Sequence, residues 1–387
     1  MSETSGARGP RGTYRAVVVG ETGQGNYGHG IDLAFVGLPG VTVVAVADPD
    51  EAGRAGALSR TGASTGYADY REMLERERPD VVAIGPRQPH RREEMLQAAI
   101  RSGAKAIYTE KPFARSLDEA DRVLAAADER GVRIAVAHQN RAFAGPRLAR
   151  RLVGEGKIGR LRAIKAYGKQ DRRGGGQDLT VLGTHMLDLM RFFLGDASWC
   201  HARVVQGGRD ATPADVHPGE EQVGPILGDD VVTSYGFADG VTGSYESAQA
   251  DDLGAGNYFR FELCGTGGVL CVWSNPAGQV YYYPRPFALP DRPEEWQALT
   301  PDPLPLAGAG EGLPGANTMH AANQVIAADL LAAVEDGSKP LSSGQDARAA
   351  LEMIMAVYAS HIQGDRVALP LTERSHPLER WTAGAGR

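Results

Sequence analysis

The sequence predicts an α/β domain with a doubly wound parallel sheet, followed by an α+β domain with a largely antiparallel open sheet. Two observations predict it. From Arg15 to about Ala137, short apolar runs alternate with helical patterns across short turns. That rhythm implies a parallel sheet with helices on both faces, joined by right-handed crossovers. After His138 the rhythm changes, and strand-like runs flank the hairpin signals Asp239-Gly240 and Gly265-Thr266-Gly267-Gly268.

Each element has its own justification. Ala16 to Val19 reads as a buried strand, followed by a Gly-rich run from Gly20 to Gly28 and a helix through Ile31, Ala34 and Phe35. Val41 to Ala47 is the second strand, closed by Asp48-Pro49-Asp50 before a helix near Glu51. Thr65 to Tyr67 is a weak third strand and Val81 to Ile84 a fourth, with a helix from Arg91 to Arg101. Ala106 to Tyr108 is the fifth strand. The Ser-x-x-Glu capping box Ser116-Leu117-Asp118-Glu119 opens the next helix. Val132 to Ala137 is the sixth strand. Beyond it come a helix at about 146–153, a strand at Leu161 to Tyr167 and an apolar helix from Thr184 to Leu194. Strands joined by loops fill 199–283, a Pro- and Gly-rich excursion follows at 284–318, and helices at about 320–336 and 344–362 close the chain.

A chain of 387 residues suits two domains. We place a frayed tail at 1–12, the first domain at 13–138 and the second at 139–387. A net charge of −7 argues against nucleic acid or an anionic membrane as partner. No stretch approaches the apolar length of a membrane span. The three cysteines lack zinc-ligand spacing, so no metal is expected and free thiols point to a reducing cytoplasm.

Chemistry concentrates at the carboxyl ends of the first-domain strands, where open α/β sheets bind ligands. The run after the first strand can cradle a dinucleotide pyrophosphate on glycine backbone and a helix N-terminus. Two registers compete, Gly23-Gln24-Gly25-Asn26-Tyr27-Gly28 and Gly20-x-x-Gly23-x-Gly25, with Thr22 inside the run. Asp48 either accepts both ribose hydroxyls, which favours NAD over NADP, or caps the following helix. Glu110-Lys111-Pro112 places a lysine at the end of the fifth strand. It is either a donor to a substrate oxygen or a surface lysine paired with Glu110. Gln139, Asn140 and Arg141 face the same edge. In the second domain, Lys169, Asp171, Arg172 and Arg173 form a basic cluster in an acidic chain, for an anionic substrate group or for solvent. Thr184 and His185 begin the apolar helix. His185 can serve as a general base or as a core histidine.

Taken together these residues resemble the family of glucose–fructose oxidoreductase, inositol dehydrogenase and rhizopine catabolism protein, the Gfo/Idh/MocA family. Glu110-Lys111-Pro112 matches its Glu-Lys-Pro signature. Ile84-Gly85-Pro86 with His90 resembles its fourth-strand end. Gly183-Thr184-His185-Met186-Leu187-Asp188 resembles its Gly-x-His-x-x-Asp segment, and Gly265 to Gly268 its second-domain turn. The resemblance runs from Tyr14 to about Leu371. It implies a Rossmann domain plus an α+β domain, and NAD-dependent oxidation or reduction of a sugar or cyclitol. By it, Lys111 orients the reacting oxygen and His185 is the acid/base. It also implies a homo-oligomer through the second-domain sheet. The family places an Asp four residues before the His, where this chain has Val181; Asp178 or Asp171 are the substitutes. Relatives that cleave glycosides with bound NAD supply an alternative, which needs a further base at Tyr167, Asp171 or Asp178. A non-catalytic NAD-binding regulator is disfavoured by the presence of both Lys111 and His185.

Overall fold

The computed structural model describes residues 11–250, 258–302, 304 and 318–385. The chain divides into two compact units, Met1–Arg115, Glu119–Ala142 and Pro303–Ala347 against Ser116–Asp118, Phe143–Asp302 and Arg348–Arg387.

In the first unit, β1 (Tyr14–Val19), β2 (Val41–Ala47), β3 (Thr65–Tyr67), β4 (Val81–Ile84), β5 (Ala106–Thr109) and β6 (Arg133–Val136) form one sheet. Their order is β3-β2-β1-β4-β5-β6, every pair parallel. This is the doubly wound order of the Rossmann fold, with its switch point between β1 and β4. β4 and β5 are buried throughout because helices cover both faces. Helix α1 (Glu51–Thr61) is capped by Asp50, whose side chain accepts from the Gly53 N–H at 2.6 Å. α2 (Tyr70–Glu77), α3 (Arg92–Arg101) and α4 (Leu117–Arg130) follow in order. Glu119 reaches back to the Arg115 N–H at 3.0 Å, one residue before the predicted box.

The helix expected after β1 is absent as an α-helix. Ile31–Leu33 is a single 3₁₀ turn, continued by i→i+3 bonds from Ala34 to Ile31, Val36 to Leu33 and Leu38 to Phe35. Gly30 and Gly37 both have positive φ. The six residues between them are too few to nucleate an α-helix.

The second unit starts with α5 (Ala144–Gly154) and β7 (Leu161–Tyr167), then α6 (Gly176–Asp178), a π-turn (Leu179–Gly183) and α7 (Thr184–Leu194). β8 (Trp199–Gln206) and β9 (Arg209–Asp210) pair, as do the short β10 (His217–Pro218) and β11 (Pro225–Ile226). β12 (Asp230–Gly236) and β13 (Thr242–Ala248) form the hairpin across Asp239-Gly240. β14 (Arg260–Gly265) and β15 (Val269–Trp273) form the one across Gly265 to Gly268. β16 (Val280–Tyr283) and β17 (Gln297–Leu299) extend the sheet. The order is β17-β16-β15-β14-β7-β13-β12-β8, with a last strand, β18 (Val367–Ala368), beside β8, and only β7 and β13 parallel. Burial alternates along β8, β12 and β13, so one face is covered and the other is not.

The chain then returns to the first unit. Helix α8 (Met319–Asp336) packs on β5 and β6, although the sequence boundary at 138/139 assigns everything later to the second domain. A helix this rich in alanine, valine, isoleucine and leucine buries most of its surface, and here it covers the parallel sheet. Arg11 and Gly12, read as part of the frayed tail, donate their N–H groups to Glu335 of α8. α9 (Gly344–Gln363) leads into the second unit, and β18 (Val367–Ala368) and α10 (Pro377–Ala385) end it. α10 was not anticipated. The predicted excursion at 284–318 contains β17 and a 3₁₀ turn at Pro293–Glu295, and its residues 303 and 305–317 lie outside the described residues.

Candidate functional site

The Gly-rich run closes on itself. Glu21 and Asn26 exchange backbone hydrogen bonds at 3.2 and 3.1 Å, and the Asn26 side chain accepts from the Gly23 N–H at 2.9 Å. Most of its glycines serve packing. A methyl group at Gly20 would overlap the Tyr27 ring, at Gly25 the Arg87 backbone, and at Gly28 the Glu110 side chain. Gly23 is different. It has φ 86°, and no described residue lies within 4 Å of where a Cβ would stand. Gly23 therefore leaves room for a ligand beside its α-carbon, while its own N–H is taken by Asn26 and that of Gln24 by the Glu21 carbonyl.

Asp48 ends β2 and is fully buried. Its carboxylate accepts from the Thr22 hydroxyl at 2.8 Å, the Thr22 N–H at 3.2 Å and the Asp50 N–H at 3.0 Å. Helix capping belongs to Asp50, which removes that alternative for Asp48. Arg54 donates to the Asp48 carbonyl at 2.6 Å.

The ends of β4 and β5 are tied by Arg92, a buried cation that the sequence reading passed over. Its guanidinium donates to Thr109 Oγ1 at 2.7 Å and, in shorter contacts, to the Glu110 and Pro86 carbonyls. Burial lowers its pKa to about 10. His90 sits in the same turn, with its pKa lowered by burial. Glu110 is fully buried. One oxygen accepts the His29 N–H and the His29 ring Nδ1, each at 2.7 Å; the other accepts the Lys111 N–H at 3.0 Å. Burial raises the Glu110 pKa, but His29 and then Lys111 outweigh it and bring it down to about 2. Lys111 is 2% exposed.

Asn323 of α8 joins three parts of this edge. It donates to the His29 carbonyl at 2.8 Å and accepts from Tyr108 Oη at 2.8 Å and Gln139 Nε2 at 3.1 Å. Asn140 is buried with Nδ2 lacking a hydrogen-bond partner among the described residues. Arg141 is committed internally, to the Leu341 carbonyl at 3.0 Å and Asp346 at 3.2 Å.

In the second unit the loop between β7 and α6 is pinned. Gly174, Gly175 and Gly176 pass so close to 227–229 and 248–249 that any side chain there would overlap backbone. Asp178 is fully buried. It accepts from Ser247 Oγ at 2.6 Å and the Lys169 N–H at 2.8 Å, and Oδ1 has no partner among the described residues. Burial raises its pKa. Arg173 binds Asp171 through NH2 at 2.5 Å, which lowers the Asp171 pKa. Arg172 is exposed and reaches Glu220 at 3.1 Å. Thr184 and His185 open α7, both buried, with the His185 ring edge-on to Phe259 at 6.5 Å. The π-turn just before them adds one residue per turn, so the residue one turn ahead of His185 is Thr180 rather than Val181.

The first unit thus gathers Gly23, Asp48, Glu110, Lys111, Gln139 and Asn140 on one sheet edge. These residues fit a dinucleotide: open space beside Gly23, a carboxylate after β2, and a buried donor, Asn140 Nδ2, with no partner among the described residues. Sequence reasoning missed His29, Arg92 and Asn323. Only His29, adjacent to Gly28 in the glycine run, carried a local signal.

Among the described residues, no helix is long and apolar enough to cross a membrane, and no cluster of His, Cys, Asp or Glu could hold a metal ion. Levoglucosan dehydrogenase of Pseudarthrobacter phenanthrenivorans is 28% identical over 286 residues, 65% of this chain and 72% of that enzyme. D-apiose dehydrogenase of Paraburkholderia graminis is 26% identical over 359 residues, 89% of this chain and 87% of that one. A levoglucosan dehydrogenase structure in complex with NADH and levoglucosan has the same fold, with TM-score 0.73 at 21% identity over 93% of this chain and 100% of that chain. Residues 14–138 match the model of an oxidoreductase family with an NAD-binding Rossmann fold, and 147–271 that of the GFO/IDH/MocA C-terminal domain. The chain belongs to the Gfo/Idh/MocA family of NAD-dependent oxidoreductases.

Proposed function

We propose that the protein is an NAD-dependent dehydrogenase acting on a hydroxyl of a sugar, sugar derivative or cyclitol. The observation that carries this reading is Lys111, buried beside an ionised Glu110 at the carboxyl end of β5. A buried ammonium there is suited to an oxygen that gains negative charge during reaction. In this reading Gly23, Gln24 and Asp48 hold the dinucleotide, whose nicotinamide supplies the hydride acceptor. His185 takes the hydroxyl proton, and Lys111 hydrogen-bonds the same oxygen. Asn140 and Thr184 contribute hydrogen bonds to the remaining hydroxyls. The relatives act on levoglucosan, D-apiose and inositols, which makes these the first compounds to try. The test is NADH absorbance during a screen of those compounds and related sugars; no NADH from any neutral or anionic sugar would sink the reading.

A second reading is redox-neutral glycoside cleavage, which needs a further base. Of the three candidates, burial pushes the Tyr167 pKa up to about 12 and Arg173 holds Asp171 low. Asp178 alone is raised in the direction that makes a carboxylate a better base. Release of aglycone without net NADH would favour this reading. The half-covered face of the second sheet suits association with a second copy, which sedimentation analysis would test.

A further inference from the structure

Asp48 is the carboxylate placed to receive the adenosine ribose, yet it is fully buried. The Thr22 hydroxyl stands on Oδ2 at 2.8 Å, while Oδ1 takes the backbone N–H groups of Thr22 and Asp50. Gly53 is packed against the same hydroxyl: a methyl group on its α-carbon would overlap Thr22 Oγ1 and stand 3.0 Å from Oδ2. Thr22 itself is exposed, on the outer part of the glycine loop.

We infer that Thr22 determines how tightly NAD is held, because its hydroxyl occupies the Asp48 oxygen that the ribose diol needs. The inference rests on the reading of Asp48 as the ribose acceptor. With Asp48 fully buried and Gly53 packed against the Thr22 hydroxyl, a ribose hydroxyl reaches Oδ2 by replacing the Thr22 hydroxyl. Binding then exchanges one charge-assisted hydrogen bond for another instead of adding one. A 2′-phosphate gains nothing from the carboxylate, so NADP binding is indifferent to Thr22.

Valine has the shape of threonine without its hydroxyl. Thr22→Val leaves Oδ2 short of a donor until ribose arrives, so NAD+ should bind about tenfold more tightly or better, the worth of one hydrogen bond to a charged group. Thr22→Ala should behave alike, and Thr22→Ser should bind as wild type. Calorimetric titration of each purified protein with NAD+ and with NADP+ measures this. NADP+ affinity should not change. The gain should vanish in the double variant Thr22→Val/Asp48→Asn. Thermal unfolding without cofactor checks that each variant is folded. If Thr22→Val and Thr22→Ala bind NAD+ no more tightly than wild type while Asp48→Asn weakens it, the inference fails and the reading of Asp48 stands. If Asp48→Asn leaves NAD+ affinity unchanged, both fail.

Discussion

His29 places two donors on one oxygen of Glu110, its backbone N–H and its ring Nδ1, each 2.7 Å away. The other oxygen takes the Lys111 N–H. A glutamate with no solvent contact thus stays ionised directly before the lysine proposed to touch substrate. It does so because the first-strand turn lends it a histidine.

That arrangement has a pH signature. Folding lowers the Glu110 pKa from 4.5 to about 2, so the folded protein binds fewer protons there than the unfolded chain. The stability gained is fully present above the unfolded value and is lost as pH falls from about 4.5 toward 2, on the order of 3 kcal/mol in all. Denaturant unfolding at pH 7 and pH 3 should show wild type losing more stability on acidification than Glu110→Gln. An equal loss in both would contradict it.

His185→Ala should slow turnover by about 10²–10⁴-fold, the usual contribution of general acid–base catalysis. NAD+ affinity should barely move, since the residues proposed to bind the cofactor belong to the first unit. His185 also packs on Phe259, so unfolding must be measured beside the kinetics. A folded variant with near wild-type turnover would send the search for the base to Asp178.

The glycines should differ in tolerance. Gly28→Ala meets both a positive φ and the Glu110 side chain, so it should destabilise the protein by more than about 2 kcal/mol and weaken NAD+ binding. Gly23→Ala meets only the positive φ and should cost about 1–2 kcal/mol. Equal losses would mean that the packing on Glu110 is unimportant.

Of the basic pair, Arg172 is the one exposed for an anionic substrate group, while Arg173 is held by Asp171. Arg172→Ala should raise KM for such a substrate by the equivalent of roughly 1.5–3 kcal/mol. Arg173→Ala should instead loosen the loop and lower stability. A substrate with no anionic group, or an unchanged KM, would leave Arg172 to solvent.

Much of this architecture could be read from residues alone. Val81–Ile84 and Ala106–Tyr108 are apolar throughout, which only a strand covered on both faces permits, and β4 and β5 lie there. Asp239-Gly240 turns a hairpin because both residues adopt positive φ. The turn after β1 misled, since the helical spacing of Ile31, Ala34 and Phe35 suggested a helix while Gly30 and Gly37 left too few residues to form one. The π-turn before His185 was invisible, because one extra residue in one turn creates no periodicity. Lys169 to Arg173 was read by its sign, yet the partner that commits Arg173 lies two residues away. Asn323 had no local signal, as its partner Tyr108 is 215 residues distant.

The return of α8 to the first unit also bears on how the protein is made. Tyr108 leaves the ribosome 215 residues ahead of Asn323. At about 5–20 residues per second, that leaves a delay of roughly 10–40 s. Throughout it, β5 and β6 are synthesised but the helix that packs on them is not. An apolar strip of parallel sheet therefore waits uncovered while the whole of the antiparallel sheet from β7 to β17 is being translated. A nascent chain in that state presents the kind of surface that chaperones bind, and a fragment ending before residue 319 would keep it for good.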